Sequence, residues 1–125
     1  MSEKPRPGTI GWVDLTVPDA VGLRDFYGAV VGWSNKPVDI QGYQDFCMIP
    51  PGAAAPAAGI CHARGLNADL PPVWLIYITV ENLDASLEQC KARGGEVISP
   101  VRSMGASRYA MIKDPAGAVC ALFQP

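Results

Sequence analysis

The sequence predicts an α+β fold built from two tandem β-α-β-β-β modules. The first observation is an internal repeat: a helix-like run lies between Thr16-Val17 and Gly32, and another lies between Thr79-Val80 and Gly95, 63 residues later (16 to 79). At the same offset the strand-like residues Phe46, Met48 and Ile49 correspond to Tyr109, Met111 and Ile112. The second observation is that strand-like apolar runs flank each helix-like run. Neither copy can bury its apolar face alone, so we expect one domain with its chemistry between the copies.

Size and composition restrict the classes of partner. The chain has 125 residues, of which 49% are hydrophobic and 18% charged, and its formal net charge is -2. Without a basic stripe, nucleic acid is not an expected partner. No apolar run approaches the roughly 18 residues that span a bilayer, and no export signal opens the chain. We therefore expect a cytoplasmic protein that does not bind membranes.

The first module is predicted at about residues 9–63, after a loose N-terminal arm at 1–8. Its helix is expected near residues 20–31, because Asp19 is a suitable N-cap and Gly32 a suitable stop. Leu23, Phe26, Tyr27, Val30 and Val31 form one apolar stripe on that helix. Strands are expected at 9–17, 34–39, 43–49 and 57–63.

A proline-rich joint at residues 64–72 leads to the second module at about 73–124. Its helix is expected near 83–93, with Gly94-Gly95 as the stop. Asp114-Pro115-Ala116-Gly117 has the chemistry of a turn, since Asp opens it, Pro presets φ and Gly takes a positive φ. The strands are expected at 73–80, 96–101, 107–113 and 118–124.

The four cysteines do not form a recognisable motif. They are Cys47, Cys61, Cys90 and Cys120, with no CxxC pair. Three lie in apolar strand-like runs and the fourth on the apolar side of a helix, so buried, reduced thiols are the favoured interpretation. A metal or redox role for one of them is the alternative.

Two polar residues in strand-like runs are candidates for chemistry. Asp14 shares a strand face with Trp12, and a carboxylate in mid-strand is costly if it is buried unpaired. It would bind an amine or hydroxyl of a ligand, or pair with Arg24 or Arg108. His62 is the only histidine. It would act as a general base or a substrate hydrogen-bonder, or it would have a structural role at a strand end.

A further polar set surrounds Gly105. It consists of Arg102, Ser103, Arg108 and Tyr109. One interpretation is a mobile glycine loop in which arginine holds an anion. The other is a solvated hairpin with Arg108 exposed.

Several motifs together resemble a known family. They are the run Trp12-Val13-Asp14-Leu15-Thr16-Val17-Pro18-Asp19, then Phe26-Tyr27, Val31-Gly32-Trp33 and Asp114-Pro115-Ala116-Gly117. With the paired β-α-β-β-β pattern, they resemble the vicinal oxygen chelate superfamily of glyoxalases, bleomycin-resistance proteins and extradiol dioxygenases. The resemblance implies curved mixed sheets around a cleft, a homodimer, and commonly a divalent metal held by His or Glu.

The metal-ligand positions of that family carry other residues here. The resemblance places three of them on Trp12, Leu75 and Ala121, and the fourth on Cys61 or His62. Trp, Leu and Ala donate no lone pair to a metal, so we expect no metal and no cofactor. The expected ligand-binding residues are Trp12, Asp14, Cys61, His62, Leu75, Tyr77, Arg108 and Tyr109. Catalytic roles are unassigned, with His62, Asp14 and Tyr109 as candidates.

The favoured function is metal-independent binding of a small, planar or amphipathic molecule, as in bleomycin-resistance proteins. The first alternative is a metal-independent enzyme that uses acid–base residues of the cleft. A non-catalytic module acting through its dimer surface is the next. A metal-dependent lyase, isomerase or dioxygenase with relocated ligands is the last. Fold does not decide among them, since one fold serves many functions.

Overall fold

A computed structural model of the chain describes residues 5–125 and confirms the α+β class. These residues form two compact units: unit 1 comprises residues 5–12 and 75–125, and unit 2 comprises residues 13–74. The predicted N-terminal arm falls partly outside the described residues, which begin at residue 5. Within unit 1, Gly8 N donates to Thr79 O at 2.7 Å, and Thr79 N donates to Thr9 O at 2.8 Å.

Unit 2 follows the β-α-β-β-β order. Its elements are β1 (Ile10–Val17, whose first residues belong to unit 1), α1 (Ala20–Val31), β2 (Ser34–Ile40), β3 (Tyr43–Ile49) and β4 (Ala58–His62). Strand β1 pairs in parallel with β4, β4 is antiparallel to β3, and β3 is antiparallel to β2. A 3₁₀ turn at Gly65–Asn67 follows.

Unit 1 repeats this pairing scheme. Its elements are β5 (Trp74–Thr79), α2 (Leu83–Ala92), β6 (Glu96–Val97), β7 (Arg102–Met104), β8 (Ser107–Lys113) and β9 (Val119–Gln124). Strand β5 pairs in parallel with β9, as β1 does with β4, and β9 is antiparallel to β8. Both β6 and β7 pair with β8. The internal repeat in the sequence is therefore a repeat of topology.

Each unit packs its helix on one face of its strands. In unit 2 the buried cluster consists of Leu15, Val17, Ala20, Phe46, Met48 and Ile60, with Leu23 and Tyr27 of α1 against it. In unit 1 it consists of Leu83, Leu87, Ala110 and Leu122, with Ile78, Val80, Val97 and Ile112 against it. Because strand side chains alternate between faces, the residues between these positions lie on the opposite face.

Two expectations about local structure are corrected. The strand expected at 96–101 is interrupted, because Pro100 has no N–H and Ser99 Oγ accepts the N–H of Met111 at 2.8 Å. Three of the five residues of the apolar stripe on α1 are also uncovered, since Phe26, Val30 and Val31 are 54%, 61% and 47% exposed. Periodicity identified the stripe, but α1 turns only the side with Leu23 and Tyr27 towards the strands.

Candidate functional site

The face of unit 1 opposite α2 carries aromatic and small apolar side chains. Tyr77 of β5 lies beside Ala121 of β9 in the strand register. Tyr109 of β8 lies beside Phe123 of β9. Leu75 and Ala121 are buried, at 3% and 0% exposure. The structure thus brings three sequence-predicted site residues together on one face, namely Leu75, Tyr77 and Tyr109.

The polar component of this face is a guanidinium. Arg102 of β7 is the register partner of Tyr109, and its Cζ lies 5.9 Å from the centre of the Tyr109 ring. The rings of Tyr77 and Tyr109 have centroids 6.2 Å apart and planes inclined by 52°. Two tyrosine rings offer stacking surface, and the guanidinium adds positive charge and fixed donors. Trp12 also belongs to unit 1. It is half-buried and lies in the N-terminal part of β1.

The corresponding face of unit 2 is acidic and carries thiols. Thr16 and Cys61 are register partners, while their neighbours Leu15 and Ile60 lie in the core on the helix side. Alternation therefore puts Cys61 on the same face as Asp14. Burial, followed by the nearby carboxylates of Asp14 and Asp45, raises the pKa of the Cys61 thiol far above its usual range. Of the two residues that the sequence left open, Cys61 is the one beside Asp14.

Asp45 connects this face to His62. Its Oδ1 accepts from the backbone N of His62 at 2.9 Å and lies 3.3 Å from His62 Nδ1. The backbone pairing between β3 and β4 ends at Phe46 and Ile60. The N–H of His62 lies beyond this pairing, and the Asp45 carboxylate accepts its hydrogen bond in place of a strand carbonyl. Both side chains are largely enclosed, at 17% exposure for Asp45 and 15% for His62.

Two aromatic rings lie beside the His62 imidazole, and a guanidinium lies over one of them. The Tyr43 ring meets it edge-on, with centroids 5.4 Å apart and planes at 78°. The Phe46 ring lies 6.3 Å away. Arg64 Cζ lies 4.6 Å above the Tyr43 ring. Asp45 was not predicted as a site residue, because its role depends on where the β3–β4 ladder ends. Its only signal in the sequence is a carboxylate within an apolar strand.

The two arginines considered as partners of Asp14 have other ion pairs. Arg24 pairs with Asp25 at 2.9 Å. Arg108 pairs with Asp84 of α2 through two hydrogen bonds of 2.9 and 3.3 Å. The Arg108 guanidinium lowers the pKa of Asp84 and the carboxylate raises that of Arg108. Since β8 alternates, Arg108 extends towards α2 and Tyr109 extends to the other face, so the structure separates these two predicted ligand-binding residues.

The donor set does not fit the divalent metal that the resemblance implies. Trp12, Leu75 and Ala121 stand at three of the implied ligand positions, and none offers a lone pair to a metal. Within residues 5–125, no group of three or more His, Cys, Asp or Glu side chains is arranged to hold a metal ion. A separate finding over the same residues is that no helix is long and apolar enough to cross a membrane.

Comparisons with known proteins agree with this fold. The family model described as "Glyoxalase/Bleomycin resistance protein/Dioxygenase superfamily" matches residues 9–122. CFP32 of Mycobacterium tuberculosis, which is named as a glyoxylase, is 33% identical over 121 residues; the match covers 95% of this chain and 46% of CFP32. The anthracycline biosynthesis protein DnrV of Streptomyces peucetius is 30% identical over 130 residues, covering 94% of this chain and 47% of DnrV.

A solved structure shows the same fold. Methylmalonyl-CoA epimerase from Mycobacterium tuberculosis superposes with a TM-score of 0.55 at 22% sequence identity, covering 90% of this chain and 85% of the epimerase. At that identity the likeness concerns the fold alone. The chain spans about half the length of the curated relatives it matches.

Proposed function

Since the chain belongs to the glyoxalase/bleomycin resistance protein/dioxygenase superfamily, we propose that it binds a small planar molecule without using a metal ion. The observation that carries the proposal is the face of unit 1 opposite α2. There Tyr77 and Tyr109 lie 6.2 Å apart with the Arg102 guanidinium beside Tyr109. Leu75 and Ala121 are buried on this face, and they are the residues that the resemblance puts at metal-ligand positions.

The chemistry of this face favours an aromatic ligand with an electron-rich or acidic substituent. Tyrosine rings stack on planar molecules with little loss of conformational entropy, because the side chain has few rotatable bonds. The Arg102 guanidinium is suited to a carboxylate, phenolate or carbonyl oxygen. The name of DnrV refers to anthracyclines, which are planar molecules of this description. That name supports the choice of probe.

The test is a fluorescence titration of the full chain with the anthracycline doxorubicin. The titration is done after dialysis against EDTA and again with nickel, zinc, manganese or ferrous iron added. We expect saturable binding that none of the metals changes, and elemental analysis without stoichiometric metal. Binding that appears only with a metal would overturn the proposal.

Variants locate the binding face. Tyr109→Ala removes one stacking ring and should weaken binding by about tenfold, the size expected for the loss of an aromatic contact with its buried area. Val38→Ala is the control, since Val38 is an apolar residue on β2 of unit 2 that is 39% exposed. Equal affinities for Tyr109→Ala and the wild type would show that the ligand binds elsewhere.

A homodimer is part of the same proposal. It is supported by the family resemblance and by the length of the relatives, which are about twice as long as this chain. The uncovered residues Phe26, Val30 and Val31 of α1 supply an apolar surface for a second copy. Sedimentation velocity should give a dimer for the wild type and a smaller species for Phe26→Lys/Val30→Lys. A wild-type monomer at all concentrations would contradict this part.

A further inference from the structure

We propose that the chain also catalyses proton transfer, with His62 as a general base and Asp45 as the residue that positions it. The substrate class is a carbon acid that reaches the carboxyl end of β4. This function goes beyond small-molecule binding in unit 1, and it rests on a separate group of side chains within unit 2.

The His62 imidazole has a defined orientation. An ionised carboxylate only accepts hydrogen bonds, so the contact between His62 Nδ1 and Asp45 Oδ1 places the ring proton on Nδ1. The neutral ring then has its lone pair on Nε2, on the side away from Asp45. Among residues 5–125, no hydrogen bond engages Nε2. The nitrogen that would accept a proton is therefore not occupied by a neighbour in the described part of the chain.

The Asp45 carboxylate is itself fixed. Asp45 Oδ1 accepts from the His62 backbone N at 2.9 Å as well as facing Nδ1 of the same residue. The two contacts hold one oxygen against both the backbone and the ring of His62, which limits rotation of either side chain. A base held in one tautomer and one orientation avoids the cost of reorganisation during the reaction.

The groups near His62 and Asp45 also favour this role. The Cys61 thiol near Asp45 stays protonated near neutral pH, because burial and two carboxylates oppose its ionisation to a thiolate. It does not compete with His62 as a base. Arg64 lies above the Tyr43 ring, and that ring meets His62 edge-on. The Arg64 guanidinium thus shares an aromatic neighbour with the imidazole, and in the proposed reaction it stabilises negative charge that develops on a substrate as its proton leaves.

A defined probe tests the inference without knowledge of the natural substrate. In 5-nitrobenzisoxazole, a base takes the proton from C3, and the electron pair of the C3–H bond forms the third bond of a nitrile. The ring N–O bond breaks in the same step, and its electrons leave on oxygen as a coloured phenolate. The proton moves to His62 Nε2 and then to water, so no oxidant or co-reactant is needed.

The experiment measures kcat/KM for this elimination with the 125-residue chain. We expect the wild type to exceed free imidazole at equal concentration, and His62→Gln to lower kcat/KM by about 100-fold, the lower range for loss of a general base. Asp39→Asn is the matched control for charge, since Asp39 lies on β2 and accepts a hydrogen bond from Gln44 Nε2, not from His62. It should leave the rate unchanged. A His62→Gln variant as active as the wild type would overturn the inference.

Two further measurements do not depend on whether His62→Gln folds. His62 is the only histidine, so diethyl pyrocarbonate treatment of the wild type should abolish the elimination, and hydroxylamine should restore it. Nitrogen-15 NMR of the same histidine should show a proton on Nδ1 in the wild type, and Asp45→Asn should reduce the population of that tautomer and shift the pH profile of kcat/KM. A proton on Nε2 in the wild type, or a rate that survives carbethoxylation, would contradict the assignment. Neither result would bear on doxorubicin binding, so the two proposals fail independently.

Discussion

A side-chain carbon placed on Gly95 would lie 2.6 Å from the sulfur of Cys90 and 3.0 Å from the Cys90 carbonyl oxygen. The same glycine donates its N–H to that carbonyl at 2.8 Å, and Gly94, with φ +89°, donates to Lys91 O. These two bonds form a Schellman motif at the end of α2. The close approach of backbone to thiol is therefore part of how α2 ends, and it requires a residue without Cβ.

Gly95→Ala should destabilise the protein by about 1–3 kcal/mol, the range for overpacking a well-packed site. The added carbon meets backbone atoms as well as the Cys90 sulfur, including Lys113 O at 3.1 Å, so a side-chain movement alone does not relieve it. The free energy of unfolding from urea denaturation measures the effect. Gly11→Ala is the control, because its nearest contact would be Thr79 Oγ1 at an ordinary 3.7 Å. An equal effect for the two variants would contradict this explanation.

Asp19→Ala should cost about 1 kcal/mol of stability, the usual value for loss of an N-cap. Asp19 Oδ1 accepts from Gly22 N at 2.9 Å and so satisfies one of the free N–H groups at the start of α1. The measurement is again urea denaturation. Asp25→Ala removes the same charge from an exposed position in the ion pair with Arg24, and it should change stability by less than about 0.5 kcal/mol. A larger loss in Asp25→Ala than in Asp19→Ala would show that charge, and not capping, stabilises this end.

Local chemistry made the helices and most strands predictable. Asp19, Gly32 and Gly94-Gly95 mark helix ends by properties of their own backbone and side chains, and the structure ends α1 and α2 at those signals. The repeat also predicted the order of helices and strands, because each copy must cover its apolar face with the same kinds of element. The interruption at Pro100 was not predicted, because it depends on a hydrogen bond between strands: the Met111 N–H of β8 donates to Ser99 Oγ.

The candidate site was less predictable because it depends on contacts between strands. Alternation along β5 and β8 was enough to put Tyr77 and Tyr109 on defined faces. The link between Asp45 and His62 is different, since it arises where the β3–β4 ladder stops. The pairing of Arg108 with Asp84, 24 residues earlier, likewise follows from the packing of α2 on β8. Sequence spacing contains no signal for either contact.

Arg108→Gln should return the pKa of Asp84 to its ordinary value of about 3.8, because Arg108 lowers it through two hydrogen bonds and their charge. A lowered carboxyl pKa stabilises the folded state above the unfolded pKa, and this contribution is lost as pH falls through the folded pKa. The stability difference between wild type and variant should therefore shrink below pH 3.8. Carbon-13 NMR of the Asp84 carboxyl measures the titration directly. Arg93→Gln is the control, since Arg93 bonds the neutral Gln89, and an unchanged Asp84 titration in Arg108→Gln would refute the pairing.

Asp14→Asn should increase the rate at which iodoacetamide alkylates Cys61. The thiolate is the reactive form, and the Asp14 carboxylate is the largest contributor after burial to the raised pKa of this thiol. Peptide mass spectrometry after timed alkylation of the native protein gives the rate at Cys61. Asp39→Asn, with the same loss of charge on β2, should leave that rate as in the wild type. If both variants react like the wild type, the Asp14 carboxylate does not influence Cys61.

The same thiol should make the folded protein less stable at alkaline pH. Cys61 keeps its proton in the folded state above the usual pKa of 9.0, whereas the unfolded chain loses it there. The folded state then binds more protons than the unfolded state, so the free energy of unfolding falls as pH rises above about 9. Below pH 9 both states are protonated and the contribution is constant.

Urea denaturation between pH 7 and about 11 should show a shallower decline in Cys61→Ser than in the wild type. Some decline should remain in the variant, because burial also raises the pKa of Cys120. Parallel declines in the two proteins would mean that the Cys61 thiol ionises as readily in the folded state as in the unfolded chain.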